Sequence, residues 1–381
     1  MSFDPTRPYN DLPALPPQVN VETTAVLKKA ITAGRALAEL KGVGETIPNQ
    51  SILVSALILQ EAQASSEIEN IITTTDALFE AFSAPDKEVD PATKEVLHYR
   101  EALWGGYRLL KERGLLTTNL FIELVQMIKK NQAGIRSTPG TKVTNATTGE
   151  KVYTPPEGPG LLRDRLHNIE VFIHEEGDGI DPLIKLALIH YQFEAIDPFT
   201  DGNGRTGRII NILYLVQKGL LDLPVLYLSK HIIEHKADYY GLIRGVTERN
   251  EWEPWILYML DAVEQTAAFT RERIIQIRDL LSETLAECKE HLPKKVYSKE
   301  LVELLFHRPY TKVEHVVEAG IAERKTAAVY LSELEHMGVL RKKKIGRENL
   351  YLNVRLYDLL ARPLTPNNAE EEMQTVTSPG Q

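Results

Sequence analysis

Residues 197–208 read Asp197-Pro198-Phe199-Thr200-Asp201-Gly202-Asn203-Gly204-Arg205-Thr206-Gly207-Arg208. Gly202 and Gly204 let the backbone turn tightly and approach a ligand, and Asn203 opens a predicted helix running to about Gln217. A helix N-terminus presents unpaired N–H groups and positive partial charge, which suits an anion. Arg205 and Arg208 add two cations at the same mouth. Asp201 supplies the hard oxygen that a magnesium ion bridging phosphates prefers. On composition alone, a charged surface turn capping a helix explains the stretch equally well.

Phe193 to Arg208 resembles the core motif of the Fic (Fido-fold) family, His-Pro-Phe-x-Asp/Glu-Gly-Asn-Gly-Arg-x-x-Arg. One position departs: Asp197 stands where the family has the histidine that takes the proton from a target hydroxyl before it attacks the α-phosphate of ATP. The resemblance implies an ATP-dependent protein adenylyltransferase that moves AMP to a hydroxyl of a protein target or of itself, with ATP and Mg²⁺ as cofactors. Carried over residue by residue, Asn203 bonds the α-phosphate, Asp201 binds the metal, Arg205 anchors phosphates and Arg208 holds the γ-phosphate. Gly202 and Gly204 form the anion hole, and Thr206 and Gly207 complete the loop. Tyr239 and Tyr240 match the paired tyrosines of an adenine pocket, although Thr247 stands where the family often has asparagine. His190 also matches a family histidine, and its apolar surroundings read as those of a core residue.

Upstream, Ser65-Ser-Glu-Ile-Glu69-Asn70 fits the family's inhibitory pattern Ser/Thr-x-x-x-Glu-Gly/Asn. Glu69 paired with Arg208 would occupy the cation that the γ-phosphate needs, giving an autoinhibited enzyme. Strand-forming residues at Lys142–Asn145 and Lys151–Thr154 flank Thr147-Thr148-Gly149, the pattern of a β-hairpin. In the family this hairpin is a flap that holds a target by strand addition, and Val152, Tyr153 and Thr154 match its position.

Apolar residues at helical spacing recur through most of the chain, so the body is expected to be mainly α. The predicted helices run from Val26 to Leu40, from Pro48 toward Ile68 and Ile71, and over Pro91–Arg113 and Thr118–Lys130. Beyond the hairpin they cover Leu161–Glu175, Pro182–Ala195, His235–Val246 and Glu251–His291. With the lead-in Tyr9-Asn-Asp-Leu-Pro-Ala-Leu-Pro-Pro17, the first four resemble the helical region preceding many Fic cores. The expected organisation is an N-terminal region 1–115 with the inhibitory motif, a Fic core 116–250, a linker helix 251–293, a winged helix-turn-helix 294–362 and a disordered tail 363–381.

The net charge of −9 argues against nucleic acid for the chain as a whole, but its distribution is uneven. Residues 294–362 hold fourteen Lys/Arg against nine Asp/Glu, a net +5 that leaves −14 for the remainder. Arg324 to Met337 is the candidate recognition helix, opening with Arg324 and Lys325. Arg341, Lys342, Lys343, Lys344 and Arg347 lie on a predicted wing around Gly346, where cations meet phosphates of duplex DNA. Glu323, Glu333 and Glu335 dilute that helix, which keeps a protein-interaction reading open. No secretory pattern or membrane-length apolar run is evident, and the single Cys288 excludes an internal disulfide, so a cytoplasmic protein is expected. A homodimer is among the assemblies anticipated. Aspartate starts about 2.6 pKa units below histidine and is shorter, so reduced or absent transfer is expected. Two functions stay open: an adenylyltransferase impaired at its base, and a non-catalytic, nucleotide-binding, DNA-binding regulator.

Overall fold

Helix α7 (Pro182–Ile196) organises the larger unit, because its sequence is apolar on nearly every face and nearly every side chain is buried. Asp181 caps it by accepting from Leu183 N, and Pro182 sits in the first turn, where its missing N–H costs nothing. The computed structural model describes residues 3–47, 49–83, 89–144, 149–345 and 348–361. Pro48, Asn145, Thr147, Thr148, Gly346, Arg347 and the tail from Arg362 onward therefore lie outside the described residues.

The chain divides into two compact units, Met1–Ile275 and Gln276–Gln381. In the first, α1 (Thr24–Gly44), α2 (Ser51–Ile68), α3 (Thr75–Ser83), α4 (Pro91–Arg113) and α5 (Thr118–Lys129) precede a short antiparallel hairpin of β1 (Val143–Thr144) and β2 (Lys151–Tyr153). Then come α6 (Pro159–His174), α7, α8 (Asn203–Gln217), α9 (Leu228–Glu234), α10 (Lys236–Arg249) and the start of α11 (Trp252–His291). Helix α8 packs against α7, α4, α5, α2 and α9. The close approach of α4 needs Gly106, where an added Cβ would lie 2.6 Å from Leu124 and 2.9 Å from Leu213. Asp90 caps α4 through Thr93 N, and Gly114 ends it at φ 77°.

The second unit holds the end of α11, α12 (Lys299–Leu304), β3 (Tyr310–Thr311), α13 (Val313–Glu318), α14 (Arg324–His336), β4 (Leu340–Ile345), β5 (Glu348–Asn353) and α15 (Val354–Ala361). Its antiparallel sheet has the order β3-β5-β4. The long helices match the sequence periodicity. The short elements α3, α9, β3 and α15 escape it because each is too brief to show a period and forms through its packing. The second helix stops at Ile68 and not at Ile71, since Glu69 caps it and Asn70 turns left-handed at φ 60°. Among the described residues no helix is long and apolar enough to cross a membrane.

Candidate active site

The motif loop begins where α7 ends. Asp197 closes that helix in the left-handed region, φ 47° and ψ 59°, and donates its N–H to Phe193 O at 3.1 Å. Aspartate tolerates this conformation better than most residues. Phe199 is fully buried, 6.2 Å from the Phe193 ring, so it anchors the loop in the core. Asn203 closes the loop: its Oδ1 accepts from Phe199 N at 2.8 Å and its Nδ2 donates to Phe199 O at 2.7 Å. Gly202 at φ 84° then lets α8 start at once.

Arg136 holds this turn from outside the motif. Its Nε donates to Asp197 O at 2.7 Å, its Nη2 to Pro156 O at 2.6 Å and to Ile196 O at 3.3 Å, and its own N–H to Pro198 O at 2.9 Å. One guanidinium thus ties the loop to the segment after β2. Sequence reasoning missed it, since Gly134-Ile-Arg136 shows no pattern and only the fold supplies its carbonyl partners.

Arg208 is 1% exposed and spends Nε on Ser65 Oγ at 2.7 Å, and Nη2 on Ser65 O and Glu69 Oε1, both at 2.9 Å. Those partners lie 143 and 139 residues upstream. The Glu69 carboxylate rests on Gly204, where a Cβ would come within 2.3 Å of Oε1. Lys236 Nζ donates to Ile68 O at 2.6 Å and secures the end of α2 beside it. The end of α2 at Ser65–Asn70 and the motif loop therefore lie against each other through Arg208 and Gly204.

Arg205 points elsewhere. It is 2% exposed and paired with Glu95 at 2.7 Å, a direction different from the expected phosphate-anchoring role. Asp201 is 61% exposed, bound by Lys129 at 2.5 Å and 3.8 Å from Arg205. Partial burial raises its carboxyl pKa, but the Lys129 ammonium and Arg205 outweigh that and hold it below the usual range. An ionised, accessible oxygen of this kind fits a magnesium ion whose other ligands are phosphate and water. Thr206 and Gly207 are buried, and a Cβ at Gly207 would meet Glu194 Oε1 at 2.6 Å and the Phe193 ring at 3.1 Å, so Gly207 lets α8 lie close on α7.

Burial governs the acids here. It pushes Asp197 up to about 6, with the Arg136 charge opposing and Glu69 adding. It pushes Glu194 up to about 8 against the pull of Arg208, and Glu194 Oε1 has no hydrogen-bond partner among the described residues. Burial, then Arg208, pushes His190 down to about 3, so its ring stays neutral; Nε2 meets Tyr239 OH at 2.8 Å. Tyr239 is 1% exposed and belongs to the core, whereas Tyr240 is 45% exposed. Thr247 is engaged by Tyr191 OH at 3.0 Å. On the flap, Val152 is half-buried; Tyr153 OH donates to Ala195 O at 2.7 Å and Thr154 Oγ1 to Pro5 O at 2.7 Å, so those two side chains are already committed.

In the second unit Arg324 and Lys325 are exposed at the start of α14, and Arg324 pairs with Glu314 at 2.6 Å. Arg341, Lys342 and Lys344 are exposed along β4, whereas Lys343 is half-buried with its ammonium 5.6 Å from the centre of the Tyr310 ring.

Comparison with known proteins matches three stretches of the chain. Residues 27–108 match the Fic/DOC family N-terminal model, 115–215 the Fic/DOC family model, and 280–356 that of the protein adenylyltransferase SoFic-like C-terminal domain. Protein adenylyltransferase fic-1 of Caenorhabditis elegans is 31% identical over 107 residues, 27% of this chain and 19% of the relative. Protein adenylyltransferase Fic of Drosophila mojavensis is 30% identical over 112 residues, 29% of this chain and 21% of the relative. The matched span is thus about a fifth of these relatives' length. A crystal structure of a Fic family protein from Desulfovibrio desulfuricans shares the fold, with a TM-score of 0.54 at 17% identity over 87% of this chain and 96% of that one. A Fic domain-containing signalling protein from Bacteroides thetaiotaomicron does so with a TM-score of 0.51 at 18% identity, over 64% of this chain and 96% of that one. With the N-terminal region, the motif loop and the C-terminal module matched in that order, the chain carries Fic/DOC family domains over residues 27–108 and 115–215, followed by a SoFic-like C-terminal domain over 280–356.

Proposed function

We propose that this protein is an ATP-dependent protein adenylyltransferase whose nucleotide site is restrained by Glu69. The observation that carries the reading is the Glu69–Arg208 ion pair seated on Gly204, which sets an acidic competitor on the cation at the start of α8. Asp201 would hold the magnesium ion of ATP·Mg²⁺, which would screen the phosphate charge, while the first-turn amides of α8 would meet the phosphates and Arg208 the γ-phosphate once Glu69 withdraws. Tyr240 flanks the base. A target hydroxyl attacks the α-phosphorus, the bond to the bridging oxygen of the β-phosphate breaks, pyrophosphate leaves, and the hydroxyl proton passes to Asp197.

Burial of Asp197 changes the handicap expected from reference values. A carboxyl pushed up to about 6 lies close to imidazole in proton affinity, so little of the 2.6-unit gap remains. What remains is reach, because the side chain is shorter, and the cost of an added anion beside the phosphates. Calorimetric titration with ATP·Mg²⁺, with and without Arg208→Ala, tests the site; unchanged binding in that variant refutes it. Labelling with ATP radioactive at the α-phosphate tests transfer, comparing the chain with Asp197→His, Glu69→Gly and both together.

A second reading keeps nucleotide binding and assigns the basic module, read as a winged helix over 294–362, to duplex DNA. The exposed cations Arg341, Lys342 and Lys344 along β4 favour it. The two readings are compatible in one chain.

A further inference from the structure

Residues 3–17 run past the base of the flap. Tyr9 N donates to Thr154 O at 3.0 Å, Thr154 Oγ1 to Pro5 O at 2.7 Å, and Glu157 N to Asn10 Oδ1 at 2.9 Å. The Phe3 ring stacks on Tyr153 at 6.0 Å and 18°, and Tyr9 meets the same ring edge-on at 6.3 Å and 79°. Further along, Leu12 and Leu15 are buried and the Leu15 backbone bonds to Asn168 through both N–H and C=O. The lead-in is thus anchored at Leu12–Leu15, and residues 3–10 lie beside the end of β2 with a backbone bond and an aromatic pair.

The 153–156 end of the hairpin is the part nearest the chemistry. Tyr153 reaches Ala195 O, and Arg136 bridges Pro156 O to Asp197 O. A segment held on this side lies next to the turn that carries Asp197. One added outside β1, where Val143 is 44% exposed, sits at least one strand spacing, about 4.8 Å, farther away.

We propose that residues 3–10, turned over the Tyr153–Thr154 end of the hairpin, block in cis an extended target segment from pairing there, and that accepted targets bring an aromatic side chain to replace Tyr9 on Tyr153. The role of that target rests on the adenylyltransferase reading; the cis occupancy does not. A short tether holds its segment at an effective concentration on the order of 1 mM, so a segment whose own affinity for the bare edge is about 10–100 μM weakens any competitor there roughly 10- to 100-fold. Backbone bonding supplies affinity and the aromatic contact supplies choice, as in other strand-addition modes.

The test uses a fluorescein-labelled peptide of residues 3–11, measured by anisotropy against the full chain and a chain lacking residues 1–10, which keeps the Leu12 and Leu15 anchors. The peptide should bind the shortened chain at least tenfold more tightly than the full chain. Alanine in place of Tyr9 in the peptide, or Tyr153→Ala in the shortened chain, should each weaken binding at least tenfold. Equal binding to both chains, or none to either with native melting retained, overturns the proposal. Should the shortened chain fail to fold, Tyr9→Ala in the full chain withdraws the ring without loss of length; peptide binding no stronger than to the unaltered chain then overturns it. ATP·Mg²⁺ titration of the same proteins separates the two readings. Nucleotide without peptide sinks the cis occupancy alone, and peptide without nucleotide sinks the adenylyltransferase reading alone.

Discussion

Replacing Glu69 by glycine should strengthen nucleotide binding and weaken the fold, both from the loss of one contact. Glu69 Oε1 lies 2.9 Å from Nη2 of an arginine that is 1% exposed, a charge-assisted bond worth about 1.5–3 kcal/mol. The γ-phosphate must displace that bond, so the whole range corresponds to roughly 10- to 150-fold in affinity. Glu69 is itself 37% exposed, and solvent screening moves the expectation to the lower half, about 10- to 30-fold. Arg208 keeps both Ser65 acceptors, so the folded state should lose only about 1–2 kcal/mol and roughly 2–6 °C in melting temperature. Glu69→Gln keeps the shape without the charge and should fall between. Calorimetry gives the affinity, and differential scanning fluorimetry the stability, with ATP·Mg²⁺ recovering more of it in the variant than in the parent. Dissociation constants for parent and Glu69→Gly within threefold of each other would refute the clamp, whatever happens to the melting temperature.

Asp197→Asn should raise stability above pH 6 and leave it unchanged near pH 4. The folded carboxyl binds its proton more tightly than the unfolded one, so the parent loses stability as pH rises from about 4 to about 6 and asparagine does not; parallel pH–melting curves would contradict this. If Asp197 is the base, labelling by Glu69→Gly should climb as pH rises through about 6, and a flat profile would assign the proton elsewhere. Arg136→Ala strands carbonyls of Pro156, Ile196 and Asp197, and should cost about 2–5 kcal/mol by chemical denaturation, with Arg136→Lys recovering part. In the full chain, alanine at 341 to 344 should abolish a low-salt mobility shift of mixed duplex DNA; an unchanged shift would leave the second unit to protein partners.

The motif loop was legible because it is a local pattern, glycines where the backbone turns left-handed or meets a carboxylate and charges at a helix start, whereas Ser65–Asn70 stood out only through its likeness to a family pattern. Periodicity placed the long helices for the same reason. Arg136 was not legible, since its partners are backbone carbonyls from two distant turns and carry no residue type. Nor was the division between Tyr239 and Tyr240, adjacent in sequence yet one buried against His190 and the other half open.

Residue identity and spacing along the chain carried the likeness to the Fic family, and that likeness, not any contact readable in the sequence, led to the expected pairing of Glu69 with Arg208. The tertiary structure alone decided that Arg205 turns to Glu95, that burial lifts Asp197 to about 6, and that the lead-in lies on the flap. Each of these depends on dielectric surroundings or on partners far along the chain, and neither exists until the helices have packed.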